Sequence, residues 1–259
     1  MIHPTAIVDS KAELATDVKV GPYTVIGPGV QIGAGSEIGS HVLIKGPTRL
    51  GCNTRIYAFA SIGDDPQDKK FQGEANSFLE MGDNNIIREY VTINRGTEDG
   101  GGVTKIGNDN LLMTHAHIAH DCQIGNGNVF VNSVTIGGHV IIGDQVIFSA
   151  FVAIHQFCQV GSHAFLSRAA IVTKDVLPYL MVVGGGSGAT VCGLNVEGLK
   201  RRGFSAEELQ SLRRAYKVIY RQGLRVEDAL TQLQAMAQGC AKIQPFHQAL
   251  AASTRGVLR

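Results

Sequence analysis

Aliphatic residues recur at every sixth position through most of the chain. From Ile2 the series runs Val8, Leu14, Val20, Ile26, Ile32, Ile38, Ile44, Leu50, Ile56 and Ile62. It resumes at Met81, Ile87 and Ile93, then runs from Ile106 through Ile118, Ile136 and Ile154 to Val172. Four positions after each sits a small or β-branched residue, as at Thr24, Val30, Ser36, Val42, Thr48, Thr54 and Ala60. No α-helix, at about 3.6 residues per turn, has this period. A solenoid of short strands joined by turns does: six residues make one strand and one corner, and three such units close a coil. The pattern therefore predicts an all-β parallel β-helix. The first position sends a large side chain inward, the fifth a small one, and Gly, as in Ile26-Gly27 and Ile142-Gly143, makes the corner.

Two interruptions mark loops looped out at a corner, the first at 68–80 and the second at 99–105 with Gly100-Gly101-Gly102. Such insertions commonly carry function. After Val172 the hexads fade through Pro178 and the Gly-rich stretch beyond it, giving a solenoid over 1–190 and a helical domain over 191–259. Ser205-Ala206-Glu207-Glu208 reads as a capping box opening a helix. Further helices are expected over Val226–Gln238 and Ile243–Ser253. Arg213, Arg214, Lys217 and Arg221 form a cationic ridge on the first of these helices, suited to an acidic partner.

Composition narrows the function classes. A net charge of +1 gives no bulk attraction for nucleic acid, and no apolar run reaches membrane-spanning length. The 5 cysteines are odd in number and lack CxxC spacing, which favours a reducing cytoplasm. Cys122 and Cys158 both fall at the fifth position and read as small core residues. The start Met1-Ile2-His3-Pro4 has neither the basic nor the apolar region of a secretory leader.

The register also sorts the histidines. Hexads starting at Ile118, Ile136 and Ile154 stack, and they carry His120, His139 and His155. His117 lies at the corner leading into that face, His115 is nearby, and Asp121 follows His120. Two chemistries fit: zinc held by neutral imidazoles, as in carbonic anhydrases of this architecture, or one imidazole acting as general base. Spacing alone leaves both open, beside a purely scaffolding solenoid.

Longer motifs go further. The chain resembles the acyl-carrier-protein:UDP-N-acetylglucosamine O-acyltransferases, the first enzymes of lipid A synthesis, over nearly its whole length. The resemblance rests on Ile93-Asn94-Arg95-Gly96-Thr97, Ala116-His117-Ile118-Ala119-His120-Asp121-Cys122, Gly138-His139-Val140 and His155-Gln156-Phe157-Cys158. Its most specific parts are Asn195 to Phe204 and the terminal Ser253-Thr254-Arg255-Gly256. It implies a left-handed β-helix, a homotrimer with clefts between subunits, and direct acyl transfer without metal or cofactor. His120 would be the base, Asp121 its electrostatic support and Gly138 the oxyanion donor. His117, His139 and His155 would position sugar and acyl groups, with Asp68 and Lys70 reaching across the cleft. Gln156, Asn195, Glu197, Arg201 and Arg202 would bind the uridine diphosphate, and Arg213, Lys217 and Arg221 the acyl-carrier protein. The sister N-acyltransferases usually carry an extra N-terminal domain, whereas repeats here begin at residue two. Two departures stand out: Gly186-Ser187-Gly188-Ala189 where relatives have Gly-Asn-x-Ala, and Arg168 where enzymes of long-chain specificity end the acyl groove with Gly. Arg168 is expected to shorten the groove in favour of a medium 3-hydroxyacyl chain.

Overall fold

The computed structural model describes residues 1–185 and 188–259; Gly186 and Ser187, half of the departing loop, lie outside the described residues. The first-position aliphatics from Val20 to Val172 are buried, and so are fifth-position residues from Val18 to Ala170. They fill a prism walled by three sheets, which we call faces I, II and III, of nine, eight and ten strands among the described residues, parallel throughout except for the last strand of III. Consecutive strands pass from I to II to III, and each strand pairs with the one a coil away, as Ile118 does with Ile93 and Ile136. Truncating one such buried Ile to Ala costs about 2–5 kcal/mol, because a one-coil-thick core cannot close the void.

The corners differ from the expectation in one respect. The residue that turns the chain sits at the fourth position in the left-handed region, and it is often not Gly: Tyr23 (φ 58), Phe59 (φ 66), Asp121 (φ 61) and His139 (φ 60) are examples. The second-position glycines serve a different need, close stacking of coils. A Cβ on Gly33 would stand 2.7 Å from the Cys52 nitrogen.

Both insertions leave from the I/II corner. The first spans 65–77 and the second 95–102, since Phe78–Met81 and Val103–Ile106 are full strands of face II paired with each other. In both strands the three residues before the aliphatic one are already paired, so each loop ends three residues earlier than hexad counting placed it, and the two loops begin three and four residues earlier.

At the far end, Leu180–Gly185 continues face III and pairs antiparallel with Gly188–Leu194, carrying the sheet past 190. Four helices follow: α1 (Val196–Arg201), α2 (Ala206–Tyr220), α3 (Val226–Gly239) and α4 (Gln244–Ala252). The Ser205–Glu208 capping box opens α2 as expected. The chain end returns to the solenoid: Asp175 accepts Ser253 Oγ at 2.7 Å and pairs with Val257. Among the described residues no helix is long and apolar enough to cross a membrane.

Candidate active site

Successive turns of the I/II corner carry the two insertions, then His120-Asp121, then Gly138-His139, then Gln156-Phe157. The left-handed turn at Asp121 tucks its carboxylate under the second insertion, where its side chain is fully buried. Asp121 Oδ1 accepts the Thr97 N–H at 2.8 Å, and Oδ2 accepts Thr97 Oγ1 at 2.7 Å. His120 Nδ1 lies 2.8 Å from the same Oδ2. An ionised carboxylate only accepts, so the imidazole carries its proton on Nδ1 and leaves Nε2 as the basic nitrogen. Burial pushes the Asp121 carboxyl upward, but the hydrogen bonds from His120 and Thr97 outweigh it, and the acid stays below its ordinary value of 3.8. The carboxylate is thus ionised and fixed. Thr97 is a site residue that the resemblance did not assign a role.

Three rings stack along the corner. His139 meets His120 edge-on with centroids 5.1 Å apart, and lies flat on Phe157 at 4.4 Å. A Cβ on Gly138 would stand 2.8 Å from His120 Nε2, so only glycine leaves the basic nitrogen room at that turn. The Gly138 N–H has no acceptor among the described residues. These groups open on a cleft of about 940 Å³ lined by Asp68, Lys70, His120, His139, Gln156 and Phe157, among others. The Asp68–Lys70 loop therefore meets the histidines within one chain.

His120, Asp121 and His139 also place three possible metal donors within 4.8 Å of one another. The Asp121 oxygens are already occupied by Thr97 and His120, so the geometry is that of a hydrogen-bonded dyad with a neighbouring imidazole, not of an open triad.

Other expected residues stand outside the cleft lining, although His155 shares the I/II corner with Gln156. His117 is on a strand of face I, not at the corner, with Nδ1 2.7 Å from Thr92 Oγ1. His115 belongs to the III/I corner at the other end of that strand, stacked on Tyr90 at 5.0 Å. His155 is exposed, with Nδ1 3.1 Å from Gln156 O and 3.4 Å from Arg255 Nη2. Asn195 is buried as the N-cap of α1: it accepts the Gly198 N–H at 3.2 Å and donates to His163 O at 3.0 Å. Arg202 donates to Gln145 at 2.9 Å, which seats α1 on the II/III corner, and Glu197 is paired with Lys200 at 2.9 Å. Arg168 is exposed at the III/I corner. Arg213, Lys217 and Arg221 line a separate groove along α2 and enter no ion pair among the described residues.

Comparison with known proteins decides the family. The hexapeptide family described as bacterial transferase hexapeptide (six repeats) matches residues 2–46 and 104–138, and domain 2 of the UDP-N-acetylglucosamine O-acyltransferases matches 175–258. The acyl-[acyl-carrier-protein]–UDP-N-acetylglucosamine O-acyltransferase of Xanthomonas euvesicatoria is 50% identical over 259 residues, covering 100% of this chain and 98% of its own. That of Stenotrophomonas maltophilia R551-3 is 48% identical, covering 100% and 97%. The chain belongs to this acyltransferase family. The Francisella novicida UDP-N-acetylglucosamine acyltransferase superposes with a TM-score of 0.98 at 47% identity, covering 100% of this chain and 94% of its own. The fold class is accordingly the left-handed parallel β-helix of hexapeptide repeats with a C-terminal helical region.

Two expected results follow for the acyltransferase. Gly138→Ala drives a methyl group into the His120 ring, and a displacement of about 1 Å there lowers kcat by about a hundredfold; steady-state kinetics on folded protein check it. The second concerns acid. Burial, together with neighbouring His120, holds His117 below its ordinary 6.5. Burial also lowers His139, only partly offset by Asp121. Below pH 6.5 the unfolded chain binds protons that these folded histidines resist, so stability falls with pH through that window. Asp121, lowered from 3.8, adds a further loss of the same sign in stronger acid, as its carboxylate is protonated. Thermal melts between pH 7 and 5 should show Tm falling, with a shallower slope in His139→Gln.

Proposed function

We propose that this enzyme transfers a 3-hydroxyacyl chain from acyl-carrier protein to the glucosamine 3-hydroxyl of UDP-N-acetylglucosamine, the first step of lipid A biosynthesis. The His120–Asp121 dyad, with Nε2 turned toward the cleft beside Gly138, carries the reading. Nε2 takes the hydroxyl proton while the oxygen attacks the thioester carbonyl. The Gly138 N–H faces the oxyanion that forms. On collapse the C–S bond breaks and the imidazolium returns its proton to the leaving thiolate. Asp121 stabilises that imidazolium through Nδ1.

Direct transfer needs no nucleophile from the protein. Burial pushes the Cys122 thiol to about 12, and it raises Cys158 as well, so neither cysteine is a thiolate at working pH. Neither a metal nor a cofactor enters the scheme.

The proposed substrate contacts are spread over three corners: the dyad, Asp68, Lys70 and Gln156 at I/II, α1 with Glu197, Arg201 and Arg202 at II/III, and Arg168 at III/I. One prism cannot bring three of its own corners to one ligand. Neighbouring copies around an axis can, which favours the homotrimer with shared clefts. Within it α1 presents Glu197 and the arginines to the nucleotide, while Asn195 sets the helix. Arg201 and Arg202 suit phosphate through their planar donor forks. His117 and His155 flank the path of sugar and acyl chain, and the free cations Arg213, Lys217 and Arg221 suit the acidic carrier protein.

Arg168 lies three coils along from His117, roughly 14 Å at the strand spacing. Placed there, it ends the acyl groove early. The test is turnover of UDP-N-acetylglucosamine with a panel of acyl-carrier-protein thioesters. The 3-hydroxydecanoyl donor should outrun 3-hydroxymyristoyl in wild type, with the order reversed in Arg168→Gly. Preference for the longer chain in wild type contradicts the ruler, and no turnover with any donor contradicts the function.

A further inference from the structure

The stretch Asn94 to Thr97 does more than end a strand. Arg95, whose side chain is only 13% exposed, donates from Nη2 to Asp65 Oδ1 at 2.6 Å and from Nη1 to Gly46 O at 2.8 Å. Its guanidinium lies 5.5 Å over the Phe71 ring, within the first insertion. Asn94 Nδ2 donates to Asp65 O at 2.8 Å, and Ser77 Oγ, where the insertion ends, donates to Gly96 O at 2.6 Å. The insertion is thus held at its start, middle and end by three consecutive residues. The fourth, Thr97, holds Asp121.

We propose that Asn94 and Arg95 are positioning residues for the Asp68–Lys70 loop, setting its distance from the His120–Asp121 dyad through the shared strand end. The chemistry favours a built tether over a chance surface pair. A planar guanidinium satisfies a carboxylate and a carbonyl at once from a nearly buried position, and it stacks on an aromatic ring. Lys45, 2.6 Å from Asp64 and 3.8 Å from Asp65, adds a second cation at the same root. Arg95 and Thr97 are two residues apart at the start of the second insertion, directly after the strand Thr92–Asn94, so one short stretch holds the loop through Arg95 and the dyad through Thr97. The Asp68–Lys70 loop belongs to no strand among the described residues, so no ladder fixes it and it needs such an anchor.

The inference rests on the proposed reaction only for its kinetic half. Three variants of the full-length protein test it: Arg95→Ala, Arg95→Lys, and Asp65→Ala, which removes the acceptor while leaving the buried strand intact. The first readout is limited trypsin cleavage after Lys69 or Lys70, located by mass spectrometry. Losing a charged hydrogen bond should raise cleavage by about tenfold or more in Asp65→Ala and Arg95→Ala, with Arg95→Lys between them and wild type. The second readout is kinetic: KM for the acceptor and the acyl donor should rise in these variants with kcat little changed, whereas Thr97→Ala should lower kcat without altering cleavage. Unchanged cleavage in folded Asp65→Ala overturns the tether. Increased cleavage with unaltered KM overturns the positioning role. If wild type itself shows no acyl transfer, the proposed reaction fails while the cleavage result still decides the tether.

Discussion

His120→Ala should reduce kcat by about 10²- to 10⁴-fold, the usual contribution of a positioned general base, while leaving the fold and the substrate KM nearly unchanged. The side chain sits at a corner and not in the prism: its ring contacts are Asp121, His139 and Gly138, and none of the inward columns depends on it. Removing it leaves Asp121 still bound twice by Thr97, so no buried charge is orphaned. A loss of that size with an unshifted Tm separates a catalytic role from a structural one. A scaffolding solenoid predicts no change in any activity.

Asp121→Asn should cost a similar factor for a different reason, roughly 10²- to 10⁴-fold in kcat. The amide oxygen can still accept the Thr97 N–H, but the amide nitrogen then faces Thr97 Oγ1 and His120 Nδ1 as a donor. His120 must become an acceptor at Nδ1, which places its proton on Nε2, the nitrogen that has to receive one. The ring keeps its position and loses its function. Steady-state kinetics with a nitrogen-15 spectrum of the imidazole check both halves, since the tautomer should invert. A variant with the wild-type tautomer and full activity contradicts the dyad.

How much of this was legible in the chain follows from the repeat. Positions one and five could be assigned because a period of six names the inward side chains directly, and the eighteen-residue coil stacked Ile118, Ile136 and Ile154 as found. The same arithmetic, applied to corners, would have separated His115 and Arg168 from the His120 edge. They differ from it by amounts that are not multiples of a coil, and each falls at the III/I corner. Thr97 and Arg95 were not legible as parts of the site. Both lie where an insertion breaks the register, and their partners Asp121 and Asp65 are set by how the loop folds back. Asn195 illustrates a different limit: the motif located it, but only the structure shows its amide spent on capping α1 and on His163.

In the proposed reaction transfer is direct, with His120 moving the proton and no acyl group ever carried by the protein. The most direct measurement mixes chelator-treated wild-type enzyme in excess with labelled 3-hydroxyacyl carrier protein and UDP-N-acetylglucosamine. Quenched samples are then analysed by mass spectrometry. Direct transfer gives a single-phase conversion of thioester to the 3-O-ester of the sugar nucleotide, with unmodified enzyme at every time point. An acyl-enzyme that forms and decays on the path to product, or turnover that returns only when zinc is restored, would contradict it.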